Sequence, residues 1–239
     1  MLVSLILGCI AGSANLVGGL ILVQRRWNDR ALRYFIALGA GFMMSVALLD
    51  MLPESMHFSP KWAPLLVLAG YCLIHLLEHT ITPHFHVGEE THTEEFIHAH
   101  TGISVLFGLS AHAFFDGVAI ASGFVISSWL GWLIFTAIIL HKIPEGFTVA
   151  SVMLASGRTR RTAVLAAVLL AASTIAGVLI IDLLPHWVFG GLPLSAGAAI
   201  YVAASDLIPE VNREHSLRIA LVFFLGVVLF IAIRSIAPV

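Results

Sequence analysis

The 239-residue sequence is 59% hydrophobic and 11% charged, with a mean hydropathy of +0.98 and a formal net charge of -2 at pH 7. Soluble domains carry about 25% charged residues, so water is not the main solvent of this chain. The lack of a basic face excludes nucleic-acid binding. The only cysteines, Cys9 and Cys72, both lie in apolar runs and indicate neither a disulfide framework nor a cysteine zinc site.

Apolar stretches of about 20 residues recur along the chain, and each is long enough to cross a hydrocarbon core about 30 Å thick. They predict one all-α transmembrane domain over residues 1–239. The eight predicted spans are 2–23, 32–52, 63–82, 102–124, 128–155, 162–183, 192–210 and 216–236. The first span lacks a basic n-region and is too long for the apolar core of a signal peptide, so we expect a retained helix.

The basic residues predict the orientation of the spans. Nine of them lie in or beside the odd-numbered loops: Arg25, Arg26, Arg30, Arg33, Arg158, Arg160, Arg161, Arg213 and Arg218. On the other side there are only Lys61 and Arg234. The positive-inside rule therefore places the odd-numbered loops in the cytoplasm and both termini outside. We expect an integral protein of the plasma or inner membrane.

The ends of spans two and seven share the pattern A-x-x-D-Φ-Φ-P-E, in residues 47–54 and 203–210. The two spans run in opposite directions, so the match predicts an inverted repeat of spans 1–3 and 6–8 around central spans 4 and 5. Secondary transporters built in this way place their substrate site near the midplane of the membrane. The alternative is that the pattern merely ends a helix at the interface, with proline stopping it.

The central spans each carry a His-x-x-x-acid-Gly motif, with His112 and Asp116 in span four and His141 and Glu145 in span five. Residues i and i+4 share one helix face, so each span presents an imidazole and a carboxylate together. Ionisable groups at membrane depth usually have partners and a function. Two such faces predict a site for Zn²⁺, Cd²⁺, Fe²⁺, Mn²⁺ or Co²⁺, with Pro144 freeing backbone oxygen nearby. The alternative for either histidine alone is a hydrogen-bonded core residue.

The loop at 83–101 is rich in histidine and glutamate and contains no lysine or arginine. Its histidines are His84, His86, His92, His98 and His100. In the cytoplasm such a loop is expected to bind released metal weakly, and the alternative is a solvated linker. Just before it, His75, Glu78 and His79 share a helical face and extend the predicted exit path, although ordinary interface polarity explains them as well.

These features resemble the ZIP metal transporters in the number of spans, the outward termini, the long loop between spans three and four and the paired H-x-x-x-[DE]-G motifs. The resemblance covers nearly the whole chain. It implies that the four motif residues, His112, Asp116, His141 and Glu145, form the primary transport site.

The chain departs from the ZIP pattern at two positions. Several family members hold a second metal with Asn after the fourth-span histidine and Asn or Asp after the fifth-span histidine. Here these positions are Ala113 and Lys142. A methyl group cannot ligate and an ammonium repels a cation, so we expect one metal. We expect Lys142 to pair with Asp116, Glu145 or Asp206 in place of the second metal, unless it is a snorkelling or purely structural lysine.

The resulting hypothesis is transport of a divalent metal, Zn²⁺ foremost, into the cytoplasm by alternating access. The ion is the substrate, and no catalytic cofactor is expected. It would enter past Asp50 and Glu54 and leave past Asp206 and Glu210. The bilayer is the other partner, and the sequence leaves a homodimer open. The alternatives are a zinc-dependent intramembrane hydrolase and a metal-sensing or purely structural bundle.

Overall fold

A computed structural model of the chain describes residues 2–24, 29–80, 99–209 and 216–236, and the regular structure within these ranges is helical throughout. The helices are α1 (Leu2–Gln24), α2 (Asp29–Val46, Ala47–Met51 and Leu52–Phe58), α3 (Ala63–Thr80), α4 (Ala99–Ile126), α5 (Ser128–Ala155), α6 (Arg160–Leu183), α7 (Pro185–Trp187, Val188–Tyr201 and Val202–Leu207) and α8 (Leu217–Ile236). Seven of these are long and apolar enough to cross a membrane, and α3 carries a shorter apolar stretch, Ala63–Leu77. The predicted all-α membrane fold with eight helices is confirmed.

Two predicted helix boundaries were wrong, both near prolines. The α2 helix continues through Pro53 to Phe58, so the pattern at 47–54 does not end it. Pro53 lies at the start of a new α-helical segment, where a missing N–H is tolerated. The α-helical part of α7 begins at Val188, four residues before the predicted start of span seven at residue 192. Pro193 lies inside this helix. Glycine and proline are tolerated in membrane helices, so Gly190 and Gly191 did not delay it.

The two segments that share A-x-x-D-Φ-Φ-P-E both contain a π-helical turn, at Ala47–Met51 and Val202–Leu207. The residue before each proline closes the wide turn: the N–H of Leu52 donates to the carbonyl of Ala47, and that of Ile208 to the carbonyl of Ala203. Such turns are rare and occur frequently at functional sites. Sequence similarity at these two places thus corresponds to the same unusual backbone.

The helices pack in two groups. One group consists of α1, α4, α5 and α6, and the other of α2, α3, α7 and α8. The contacts between α2 and α5 and between α4 and α7 join the groups. The central helices α4 and α5, which carry the paired motifs, therefore lie within one group and face the other.

Close helix contacts in this bundle depend on glycines whose missing side chain admits a neighbouring carbonyl. A Cβ added at Gly41 would collide with the carbonyl of Phe223, and one at Gly197 with the carbonyl of Val67. Gly197 lies 156 residues after Gly41, and Phe223 lies 156 residues after Val67, the same offset that separates Asp206 from Asp50. Two further contacts obey the same offset: Gly70 with Leu194, and Gly226 with Leu38.

Two glycines of α7 provide a matched test of this packing. Alanine at Gly197 would strike the backbone of α3, whereas a Cβ at Gly190 meets nothing within 4 Å. We expect Gly197→Ala to lower the free energy of unfolding by about 1–3 kcal/mol or more through overpacking. We expect Gly190→Ala to be neutral or stabilising, because alanine favours helix. Thermal unfolding in detergent measures both, and equal midpoints for the two variants would contradict the close-contact interpretation.

Candidate metal centre

Helices α4 and α5 bring the four motif side chains together. His112 and Asp116 share one face of α4, and His141 and Glu145 share one face of α5 on either side of Pro144. All four are buried, with relative exposures of 3, 4, 2 and 3% in chain order. One ligand atom from each lies within 4.8 Å of all the others. The two sequence motifs thus form a single cluster of two imidazoles and two carboxylates in the middle of the bundle.

One carboxylate oxygen is the centre of this cluster. Asp116 Oδ2 lies 3.2 Å from Nε2 of His112 and 3.3 Å from Nε2 of His141. The two Nε2 atoms are 3.4 Å apart. His141 Nδ1 lies 3.0 Å from the carbonyl oxygen of Ala137, which only accepts, so Nδ1 carries the proton. In neutral His141 the Nε2 lone pair therefore points at Asp116, and a proton or cation between the two atoms would relieve their repulsion.

Two further atoms of the cluster have unused bonding capacity. Glu145 Oε1 and His112 Nδ1 are buried and have no hydrogen-bond partner among the described residues. Buried polar atoms are nearly always satisfied in folded proteins, so such exceptions mark strain, chemistry or an absent ion. Together with the other ligand atoms of the cluster, two imidazoles and two carboxylates form a donor set that suits Zn²⁺ and related transition metals.

Lys142 lies inside the same cluster and is fully buried. Its Nζ is 2.7 Å from Asp116 Oδ2 and 2.6 Å from Glu145 Oε2. The expected ion pair is therefore present, with two of the three predicted acids, and the snorkelling alternative is wrong. The ammonium compensates both carboxylates at a depth where an unpaired charge is costly.

Comparison with known proteins agrees with this arrangement. The family model described as "ZIP Zinc transporter" matches residues 1–105 and 88–234. The chain belongs to the ZIP family.

Individual relatives match more locally than the family model does. Zinc transporter SLC39A7 of Homo sapiens is 32% identical over 120 residues, which cover 44% of this chain and 25% of that protein. Zinc transporter zipt-7.2 of Caenorhabditis elegans is 28% identical over 116 residues, covering 44% and 24%. The zinc transporter ZIP13 homolog of Drosophila melanogaster is 26% identical over 141 residues, covering 55% and 39%. The chain thus spans about a quarter of the length of the SLC39A7 protein that it matches.

Sequence reasoning missed one residue that contacts this cluster. Asn15 of α1 is fully buried, and its side-chain nitrogen lies 2.6 Å from the carbonyl oxygen of Lys142 and 3.3 Å from Glu145 Oε2. Both neighbours are acceptors, which places the amide nitrogen on this side. A Cβ at Gly146 would collide with the Asn15 carbonyl, so glycine permits this approach of α1 to α5. The one asparagine of the first span was the signal available in the sequence.

Four predicted entrance and exit residues have described side chains, and these lie outside the four-residue cluster. Asp50 Oδ1 is 3.0 Å from Nε of Arg234 at the end of α8, and Glu54 is half-buried one turn further along α2. Asp206 is buried in the π-helical turn of α7. His75 is exposed on α3, with its ring 5.7 Å from that of Tyr201.

Several predicted residues fall where the structure gives no side-chain description. Glu78 and His79 belong to α3 and His100 belongs to α4, but the structure describes only the backbone of these three residues. Outside the described residues altogether are His84, His86, His92, His98 and Glu210. Their predicted metal contacts stay predictions.

We predict that Asn15→Leu weakens zinc binding by about 10- to 100-fold, as the loss of partners behind metal ligands typically does. The physical reason is that Glu145 and the Lys142 carbonyl lose a buried donor. Titration of the purified protein with Zn²⁺ measures the affinity. Thr174→Val is the matched control. Thr174 of α6 is buried against Gly117 of α4, and its hydroxyl donates to the carbonyl of Leu170 on its own helix. Equal affinities of both variants and the wild type would show that Asn15 does not position Glu145.

Proposed function

We propose that this protein carries a divalent transition metal, Zn²⁺ foremost, across the membrane into the cytoplasm. His112, Asp116, His141 and Glu145 bind the ion at a single site between α4 and α5, and alternating access exposes that site to either side. The metal is the transported substrate. Membership of the ZIP family and the names of the zinc transporters among its relatives support the choice of zinc.

The observation that carries the proposal is the convergence of four buried ligand atoms within 4.8 Å. Two imidazoles and two carboxylates form a donor set that suits tetrahedral Zn²⁺, whereas Ca²⁺ and Mg²⁺ prefer oxygen alone. Cd²⁺, Fe²⁺, Mn²⁺ and Co²⁺ accept similar ligands, so geometry and availability select among them. Lys142 offsets one of the two buried carboxylate charges, and a bound cation would compensate the remaining negative charge.

A single metal per site follows from what surrounds the four ligands. The side chain at position 113 is a methyl group, and Lys142 places an ammonium against both carboxylates. A second divalent ion beside the first would meet this positive charge at contact distance. The proposed stoichiometry is therefore one ion per chain.

The proposed movement uses the two helix groups. The glycine contacts and π-helical turns that recur at an offset of 156 residues support an inverted repeat of α1–α3 and α6–α8. Inverted repeats provide two related conformations, one open to each side. In the proposal, the group with α2 and α7 moves relative to the group that holds the site.

The route runs from outside past Asp50 and Glu54 to the site and then past Asp206, Glu210, His75, Glu78 and His79 to the loop histidines. The ion pair of Asp50 with Arg234 lies at the outer end of this route in the predicted orientation. A membrane potential of 100 mV, negative inside, favours entry of a divalent cation by about 4.6 kcal/mol. The potential and the ion gradient are the proposed driving forces.

Loss of ligands tests the proposal directly. We expect His141→Ala and Glu145→Ala each to reduce zinc uptake into liposomes at least about 100-fold. Removing a residue that only hydrogen-bonds to a metal ligand already costs about 10- to 100-fold in metal affinity, and these variants remove a ligand itself. His186→Ala, at an exposed position of the short 3₁₀ segment that opens α7, is the control and should transport normally. Undiminished uptake by either folded ligand variant would remove the site assignment.

Metal counting tests the single site. Anomalous scattering from metal-soaked crystals, or elemental analysis of dialysed protein, should find one ion per chain between α4 and α5. Two ions would overturn the proposed role of Lys142 in excluding the second. If the reconstituted protein hydrolysed a lipid or peptide but moved no zinc across the liposome membrane, an intramembrane hydrolase would be favoured instead.

A further inference from the structure

The ammonium of Lys142 and a bound metal would compete for one atom. Asp116 Oδ2 contacts Nε2 of both histidines and also Nζ of Lys142. Any ion held by Asp116 Oδ2 and the two imidazoles must occupy the space that the ammonium adjoins. A metal bound at Asp116 Oδ2 would therefore displace the Lys142 ammonium from that oxygen.

Glu145 provides the place to which the ammonium can withdraw. Its Oε2 already lies 2.6 Å from Nζ of Lys142, and its Oε1 is buried with no hydrogen-bond partner among the residues described. Glu145 can thus hold the ammonium through Oε2 while Oε1 turns to the metal. The lysine keeps one partner in both states and moves only a short distance.

The charge of the site explains why this exchange matters. With neutral imidazoles, two carboxylates and one ammonium leave a net charge of one negative unit when empty and one positive unit when a divalent ion is bound. Without the lysine the empty site would carry two negative units. The cost of burying charge rises with the square of the charge, so the empty form would then be far less stable inside the bundle.

We propose that Lys142 is a tethered counter-cation that occupies Asp116 in the empty protein and yields this carboxylate to the metal. Its function is to let the empty transporter change conformation and return for the next ion. This inference rests on the proposed transport function and extends it to the unloaded half of the cycle. The ion pairs described above are then the resting state of the carrier.

Lys142→Met separates the two halves of the cycle. Exchange of radioactive zinc into zinc-loaded liposomes needs only the loaded protein, whereas net uptake into zinc-free liposomes needs the empty protein to return. Because leaving a buried charge unpaired is strongly destabilising, we expect net uptake to fall at least about tenfold while exchange stays within about twofold of the wild type. Lys61→Met, which removes the exposed lysine beside Trp62, is the matched control and should leave both rates unchanged.

Thermal unfolding gives a readout that is independent of transport. In EDTA, Lys142→Met should unfold well below the wild type, and zinc should raise its midpoint by at least about 5 °C more than it raises that of the wild type. The reason is that the metal then supplies the positive charge that the variant lacks. A variant that folds only with zinc is the extreme form of the same result.

The outcomes distinguish this inference from the transport proposal. Undiminished net uptake, equal losses of exchange and net uptake, or a stability that zinc does not restore would each overturn the role of Lys142. A variant that stays unfolded even with zinc would also overturn it. If the wild-type protein moves no zinc in either assay, the transport proposal itself fails.

Discussion

The structure depends on compensating two carboxylates in a medium that does not solvate charge. Asp116 and Glu145 lie in the middle of the bundle, and the ammonium of Lys142 contacts both. Breaking a buried ion pair by removing one partner typically costs about 3–5 kcal/mol, so these charges are kept only if a cation is always near. A site that must always hold a cation is well suited to exchanging a protein cation for a metal ion.

This requirement explains the packing around the site. Two glycines directly follow the motif acids, and each admits a neighbouring helix: Gly117 contacts the backbone at Thr174 of α6, and Gly146 contacts that at Asn15 of α1. The two helix contacts are similar, but the side chains at the contact positions form different hydrogen bonds. Thr174 bonds its own helix, whereas Asn15 donates toward Glu145. Close helix packing thus occurs on both sides of the site, and it adds a side-chain donor toward the motif acids on only one.

The two π-helical turns lie on helices that face the site. Both occur in the helix group that faces α4 and α5, and each precedes a proline. A wide turn and a missing N–H weaken the regular hydrogen bonding of a helix locally. Both π-helical turns therefore lie on helices that the proposed movement displaces.

The sequence by itself determined the eight helices and the imidazole and carboxylate that each central helix presents on one face, because apolar length and i, i+4 spacing are local properties. It also located the two acidic segments, but not their π-helical turns or the continuation of α2 through Pro53 to Phe58. Only the tertiary structure decided that Lys142 also contacts Asp116 of α4 and that Asn15 of α1 reaches Glu145. These contacts join residues on different helices, and no spacing along one helix specifies how neighbouring helices are rotated against each other.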